Sequence, residues 1–193
     1  MPKSANPPSP RRAALNLLLA AACAACQADP YASQIIAARL TPDPAGCRLN
    51  AEIDYNLSPE SKTALRKGVP LAWNLIIRID KSGWLFKRAI REQHAAYLLQ
   101  YNALLNQYEL KSPNLRQTMF QTLNAALNDM SRLQLLLDGG QPCRPEDGGD
   151  EEYRLALRLE FDRDMLPAPL RPETYLNPQW FLSSDWFLWT ISK

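Results

Sequence analysis

The sequence is poor in histidine and in glycine. It has one histidine, His94, and 7 glycines among 193 residues, which excludes a metal site built from several imidazoles. The patterns HExxH, GxGxxG and GxxxxGKS/T are absent, so no zinc-protease, dinucleotide or P-loop site is predicted. A nucleophile–histidine–acid set would have to use His94, and no GxSxG turn accompanies it. We therefore expect a protein that is not an enzyme and has no metal or cofactor.

A charge excess is also lacking. The 22 Lys+Arg and 20 Asp+Glu give a formal net charge of +2, so no nucleic-acid partner is predicted. With 46% hydrophobic and 22% charged residues, the composition excludes a wholly disordered chain and a multi-span membrane protein. The length suits one domain with an additional terminal segment.

Residues 1–28 have the three parts of a secretory signal peptide. Three basic residues and no acid precede the apolar run 13–25, and small residues follow as far as Ala28. The run is shorter than the roughly 20 residues that a stable membrane span needs. We predict cleavage after Ala28, which leaves residues 29–193 as a single β-rich domain exported to the periplasm and changes the net charge to −1.

Cys23 and Cys26 offer a second interpretation of this segment, as the acylated residue of a lipoprotein. The leucine that usually lies three positions upstream of such a cysteine is missing, because Ala20 precedes Cys23 and Cys23 itself precedes Cys26. A released periplasmic protein and a tethered lipoprotein both stay open.

Export would leave Cys47 and Cys143 as the two cysteines of the mature chain. An oxidising compartment favours a disulfide between them. Such a bridge would close a loop of roughly a hundred residues and would contribute about 4–5 kcal/mol at the upper end of the chain-entropy model. Reduced thiols are the alternative, because the sequence does not show whether the two Cα atoms come within reach.

Alternation of apolar and polar residues predicts half-buried strands at Cys47–Leu57, Leu71–Asp80 and Tyr153–Asp162. Burial of one face is typical of antiparallel sheets. The turn residues Asp43–Gly46 predict that Gln34–Leu40 forms a hairpin with the first of these strands. Two helices are predicted, over residues 58–67 and 122–131, with N-caps at the first residue of each.

Residues 84–110 have a helical composition, but the alternation of Tyr97, Leu99 and Tyr101 favours a second hairpin. Residues 138–152 are predicted to be an exposed loop, and Gln179–Ile191 a strand that is apolar on both faces. These patterns predict a mainly β fold on the borderline of α+β: an antiparallel β-sandwich-like domain with two or three short helices. A closed barrel is the alternative.

Aromatic residues supply the candidate binding surface. Three of the five tryptophans lie in the last fourteen residues, and we expect most to be in the core. Any that are exposed together would mark an interaction patch. The candidate patch consists of Trp180, Trp186, Trp189 and Trp84. A basic group at Lys87, Arg88 and Arg91 is expected to be a solvated strand face, and the alternative is contact with anionic lipid headgroups or an acidic partner.

Several short motifs resemble one known family. They are Ser58-Pro59, Gly68-Val69-Pro70-Leu71, Tyr97-Leu-Leu-Gln-Tyr101, Gln107-Tyr108, Leu166-Pro167-Ala-Pro169 and Leu182-Ser183-Ser184-Asp185-Trp186. The chain resembles, from about Ile35 to Ile191, a proteobacterial envelope family catalogued as domain of unknown function 4390. The loop around Cys143 is longer than expected for that family, so the resemblance does not support the disulfide.

The resemblance implies an exported antiparallel domain without an assigned catalytic residue. It also implies a link to an envelope sensor kinase, because genes of the family often lie beside genes for such kinases. The function expected is that of a non-enzymatic binding module with an envelope protein as partner. The alternative is a periplasmic carrier of a small apolar ligand or lipid in a cavity between the sheets. The sequence leaves the oligomeric state open.

Overall fold

The computed structural model describes residues 29–82, 87–113, 116–137 and 152–191. Within these ranges the chain forms two antiparallel sheets and three short α-helices. The smaller sheet has the order β1-β2-β7 and consists of β1 (Gln34–Asp43), β2 (Gly46–Asp54) and β7 (Arg132–Leu137). The larger sheet has the order β6-β5-β4-β3-β8-β9 and consists of β3 (Leu71–Ser82), β4 (Lys87–Asn102), β5 (Gln107–Lys111), β6 (Gln117–Phe120), β8 (Glu152–Phe161) and β9 (Phe187–Ile191).

Both sheets contribute to one hydrophobic core. Leu49 and Ile53 of the smaller sheet and Leu75 and Leu155 of the larger sheet are each at most 1% exposed. These are the apolar positions of the alternating patterns, and their polar neighbours lie on the opposite faces. The predicted mainly β, antiparallel, sandwich-like fold is confirmed. The two sheets do not close into a barrel.

The two predicted hairpins are present. In the turn between β1 and β2, Asp43 Oδ1 accepts a hydrogen bond from the Ala45 N–H at 3.0 Å, and Gly46 adopts a φ of 135°. Glycine suits Gly46 because it has no Cβ to clash in that conformation. In residues 84–110, β4 and β5 pair with Asn102 opposite Gln107, so the hairpin interpretation of that stretch is confirmed.

The two predicted helices are also present. Helix α1 (Pro59–Arg66) is capped by Ser58 Oγ, which accepts a hydrogen bond from the Ser61 N–H at 3.0 Å. Helix α2 (Leu123–Ser131) is capped by Thr122, whose hydroxyl accepts from the Ala125 N–H at 3.2 Å. Caps of this kind satisfy backbone donors that the first turn of a helix leaves without partners.

A third helix, α3 (Arg171–Thr174), and two 3₁₀ turns, Arg163–Met165 and Pro178–Trp180, follow β8. Among the described helices, none has the length and apolar character to cross a membrane.

The structure corrects the predicted C-terminal strand Gln179–Ile191. Only Phe187–Ile191 is a strand, and it lies at the edge of the larger sheet, where it pairs with β8 alone. Pro178 begins a 3₁₀ turn, and residues 181–186 have no regular structure. Proline lacks the N–H that a paired strand needs, and serine side chains replace strand pairing in the irregular part.

Strands β6 and β7 were not predicted. β7 alternates, with Leu133, Leu135 and Leu137 buried, and it pairs antiparallel with β2. It follows α2 directly at Arg132, so no turn residue separates the two patterns. Apart from Glu152, which begins β8, the predicted loop 138–152 lies outside the described residues.

Candidate functional site

The Leu182–Trp186 segment runs along the end of β8 that β9 does not reach. Strand pairing between β8 and β9 ends at Leu157 opposite Phe187. Beyond that point, the Leu159 N–H donates to Ser184 Oγ at 2.9 Å, and the Ser184 N–H donates to the Leu159 carbonyl at 2.8 Å. The next N–H of this kind, from Phe161, donates to Ser183 Oγ at 3.0 Å. The two serine hydroxyls thus accept hydrogen bonds that a longer β9 would otherwise accept.

The same segment is joined to the beginning of β1. Ser33 Oγ donates to the Leu182 carbonyl at 2.7 Å, and both residues are buried. Ser184 Oγ also donates to the Asp185 carbonyl at 2.8 Å. These hydrogen bonds fix the backbone on both sides of Asp185, so the position of the next residue, Trp186, is set by the core.

Trp186 lies on the outer face of the larger sheet, the face directed away from the core. Its ring centroid is 4.8 Å from Arg78 Cζ and 5.8 Å from Arg158 Cζ. Trp186 is 37% exposed, so part of the indole remains available after contact with the two guanidinium groups. An arginine on an aromatic face is a favourable cation–π arrangement.

Asp80 lies beside these residues with a side chain that is only 6% exposed. Arg78 Nε is 2.9 Å from Asp80 Oδ1, and Arg154 Nη2 is 3.8 Å from Asp80 Oδ2. Asp80 and Arg154 are direct partners across β3 and β8, which brings their side chains to the same face. One buried carboxylate therefore holds two arginines on the outer face.

Together these residues form what we call the Trp186 cluster, which consists of Arg78, Asp80, Arg154, Arg158, Trp186 and Leu188. Leu188 lies opposite Ala156 on the neighbouring strand and is 53% exposed. An open cleft of about 460 Å³ is lined by members of this cluster and by Ala89. Arg158 also pairs with Glu160 at 3.3 Å, and Glu92 lies opposite Arg78 on β4, so three arginines and three carboxylates lie on this surface. The arrangement can bind an acidic partner with an apolar side chain.

The predicted tryptophan patch is only partly present. Trp180 is 1% exposed and stacks on Phe161 at 6.1 Å in the core, so it cannot belong to a surface. Trp189 is half-buried against the core, opposite Leu155. Trp84 lies outside the described residues. Of the four predicted residues, Trp186 is the one the structure places at the cluster.

The arginines and the carboxylate of the cluster were missed as site residues. In the sequence they are the polar positions of β3 and β8, where solvated charges are expected. The available signal was the presence of opposite charges at Arg78, Asp80 and Arg154, which are the outward-facing positions of the alternating patterns in β3 and β8. Using that signal requires the register between strands that are far apart in sequence.

Of the four predicted cysteine sites, the described residues include Cys47. Cys47 is buried at 0% exposure in β2, and its predicted partner Cys143 lies outside the described residues. Cys23 and Cys26 lie outside them as well.

His94 lies in β4, on the same outer face as the cluster, and β3 separates β4 from β8. Its Nε2 is 3.2 Å from Glu92 Oε1, its Nδ1 is 3.1 Å from Asn74 Nδ2, and its side chain is 52% exposed. Within the described part of the chain, no group of three His, Cys, Asp or Glu side chains could hold a metal ion.

Two buried tyrosines have strongly perturbed acidities. Burial raises the pKa of Tyr55 and, with a smaller contribution from the Asp129 carboxylate, that of Tyr97. Tyr55 packs edge-on against Trp73 with the ring centroids 5.4 Å apart. Both phenols are neutral in the folded protein at ordinary pH, so they belong to the core and not to a titrating site.

The family model described as Domain of unknown function (DUF4390) matches residues 32–190. The chain belongs to the DUF4390 family. The resemblance seen in the sequence is thereby confirmed, and the matched DUF4390 segment includes every residue of the Trp186 cluster. Comparison with curated proteins finds no match, and comparison with solved structures finds none either.

Proposed function

We propose that this DUF4390 protein is an exported, non-enzymatic envelope protein that binds another envelope protein through the Trp186 cluster. The observation that carries the proposal is the position of Trp186, held by serine hydrogen bonds over Arg78 and Arg158 with over a third of its surface exposed. Tryptophan and arginine are the residues most enriched among those that dominate binding energy at interfaces.

The chemistry of the cluster defines the partner. Arg154 and Arg158 are 25% and 38% exposed, so their guanidinium groups can reach carboxylates on a partner. Leu188 and the free part of Trp186 provide the adjacent apolar contact. The partner segment is therefore acidic with an apolar residue beside the acid. We place it on the extracytoplasmic region of an envelope sensor kinase, which is the association that the family resemblance implies.

A carrier function is the second candidate from the sequence. Trp73 and the facing leucines between the two sheets are buried in one continuous cluster. A ligand there would have to displace packed side chains, at a cost of several kcal/mol on the scale of core substitutions. We therefore favour a binding surface outside the core.

Export rests on the signal-peptide pattern of residues 1–28. Cleavage after Ala28 would release the domain into the periplasm, whereas acylation of Cys23 or Cys26 would tether it to the membrane. The intact mass of the protein isolated from the envelope distinguishes the two, because a mature chain starts at Asp29 and a lipoprotein carries acyl chains.

The binding surface is tested by crosslinking in living cells. A photo-crosslinkable phenylalanine analogue replaces Leu188, and a control chain carries it at Ile36, which is equally exposed at 54% on the smaller sheet. We expect an adduct with one envelope protein from position 188 that is lost when Trp186→Ala is added. Ile90→Ala is the control variant, since Ile90 is an exposed apolar residue of the larger sheet, at 44%, that does not line the cleft. Adducts of equal yield from both positions, or none from position 188, would contradict the proposal.

A further inference from the structure

A second surface lies at one end of the larger sheet, away from the Trp186 cluster. Leu71 pairs with Leu99 at the beginning of β3, and Trp73 pairs with Phe161 at the end of β8. The β4–β5 turn therefore projects beyond the same end at which β8 stops. Since Asn102 lies three residues past Leu99, the turn begins about 10 Å beyond the start of β3.

Two loops at this end expose large apolar side chains. In the β4–β5 turn, Leu104 is 97% and Leu105 is 59% exposed. In the segment after β8, Leu176 is 85%, Tyr175 58% and Met165 49% exposed. We call these five residues the apolar end. A single exposed leucine is ordinary, but five large apolar residues exposed at one end of a domain require an explanation.

The segment after β8 stays at this end of the domain. It leaves at Phe161 and returns there, where Trp180 stacks on the Phe161 ring. Asn177 Nδ2 donates to Glu60 Oε2 of α1 at 2.8 Å, which joins the segment to the helix that precedes β3. Only β3 separates β8 from β4 in the sheet, so both loops lie at the same end of the domain.

The N–H groups of the three exposed leucines in the two loops have hydrogen-bond partners within their own loops. Asn102 Oδ1 accepts from the N–H groups of Leu104 and Leu105 at 3.1 and 3.2 Å. The Leu176 N–H donates to the Glu173 carbonyl at 3.1 Å. A loop whose N–H groups are satisfied internally loses less on entering an apolar phase than a loop that bonds to water. The two loops can therefore insert their leucines into an apolar phase.

The position at which the N-terminal segment enters the domain indicates what the apolar end contacts. Ser33, at the beginning of β1, bonds to Leu182 beside the end of β8, so the chain enters the domain at the apolar end. The residues ahead of it include Cys23 and Cys26, either of which could be acylated and tether this end to a membrane. This end exposes the cations Lys62, Arg66 and Lys67 in and after α1 and the acids Asp164 and Glu173 after β8. The cations of α1 complement anionic headgroups.

We propose that the apolar end inserts into the surface of a lipid bilayer, with Leu104, Leu105, Tyr175 and Leu176 in the interfacial region. This arrangement leaves the Trp186 cluster on the outer face of the sheet, exposed to the aqueous compartment. Membrane contact and partner binding therefore use different residues, and either proposal can fail without the other.

Amide hydrogen exchange of the full chain with vesicles tests the proposal. Residues 13–25 could hold the chain on vesicles by themselves, so protection of the two loops is measured instead of binding. Phosphatidylcholine vesicles should slow exchange at residues 102–107 and 173–177 but not at the β1–β2 turn, residues 43–46. Adding phosphatidylglycerol should lower the lipid concentration required.

Variants make the test specific. The double variant Leu104→Ser, Leu105→Ser should need roughly tenfold more lipid or more for the same protection, as the loss of two buried leucines predicts. The control is Ile90→Ser, at an exposed apolar position away from this end and outside the Trp186 cluster, and it should behave like the original chain. Trp186→Ala should also keep its loop protection.

Three results would overturn the proposal. The first is unchanged exchange at both loops in the presence of either lipid. The second is protection that persists both in Leu104→Ser, Leu105→Ser and in Tyr175→Ser, Leu176→Ser. The third is protection that appears without lipid as the protein concentration rises, because that result would assign the surface to a second copy of the chain.

Discussion

Leu159 and Ser184 exchange two hydrogen bonds, one from the Leu159 N–H to Ser184 Oγ at 2.9 Å and one from the Ser184 N–H to the Leu159 carbonyl at 2.8 Å. Ser184, which is not part of a strand, thus pairs with β8 at the position where a longer β9 would continue. As a consequence, the chain can turn away after Ser184 and place Trp186 on the outer face. Both residues are buried, at 0% and 5% exposure.

Ser184→Ala should destabilise the protein by about 1–3 kcal/mol, because it leaves the buried Leu159 N–H without an acceptor. Urea denaturation followed by circular dichroism measures the change. Ser131→Ala is the control, since the Ser131 hydroxyl bonds to the Asn128 carbonyl in an exposed position, and its effect should stay within about 0.5 kcal/mol. Equal effects of the two variants would show that the Ser184 hydroxyl has no special structural role.

Asp80→Asn should destabilise the protein by about 1–3 kcal/mol. The carboxylate is buried and paired with Arg78 and Arg154, and its neutralisation leaves two guanidinium groups without their counter-charge. The loss is smaller than for a fully buried pair because both arginines reach solvent. The comparison variant is Asp129→Asn, which removes an exposed pair with Arg116 at 3.7 Å and should cost less than about 0.5 kcal/mol.

Alkaline pH should destabilise the fold through Tyr55 and Tyr97. Each has a pKa raised above the unfolded value of 10.0, mainly by burial. Above pH 10 the unfolded phenols lose protons that the folded ones keep. The unfolded state then binds fewer protons than the folded state, so the free energy of unfolding falls as the pH rises. Below pH 10 both states are protonated, and this contribution to stability is complete.

Tyr55→Phe should reduce that alkaline loss. Among the described residues the buried Tyr55 hydroxyl has no hydrogen-bond partner, so its removal should also leave stability at neutral pH unchanged or slightly higher. The measurement is the urea midpoint of both proteins at about pH 8 and about pH 11. An identical loss between the two pH values in both proteins would show that Tyr55 does not contribute.

A Cys47–Cys143 disulfide is predicted to make the unreduced protein two daltons lighter than the reduced one. Cys47 lies directly opposite Leu137 at the end of β7, and Cys143 follows Leu137 by six residues, which is short enough for the chain to bring the two together. Cys143→Ser should lower the free energy of unfolding by about 2–4 kcal/mol. It is preferred to a change at Cys47, which is buried in the core. Equal masses with and without reductant would contradict the bridge.

Local patterns were sufficient for about half of the elements. Period-two alternation identified the strands containing Leu49, Leu75 and Leu155, because each has one face on the core and one on water. The capping residues Ser58 and Thr122 marked the beginnings of both helices, because their side chains bond within the first turn. Interactions of this kind involve residues close in sequence.

The site was predicted less well than the fold. Five tryptophans were visible in the sequence, but apolar content alone could not distinguish Trp180, which is in the core, from Trp186, which is on the surface. The distinction depends on Ser183 and Ser184, whose hydroxyls bond to β8 more than twenty residues earlier in the chain. A hydrophobic run therefore predicted a strand where side-chain hydrogen bonds had replaced strand pairing.

The sequence by itself determined the family, the antiparallel β class, the hairpins and the helix caps, because short-range periodicity and turn chemistry specify these features. Tertiary structure alone decided the order of the strands, the edge position of β9 and the meeting of Arg78, Asp80 and Arg154 beneath Trp186. It also brought Leu104 and Leu176 to one end of the domain. The physical reason is register: residues distant in sequence share a surface only after long-range strand pairing has fixed which positions lie opposite one another.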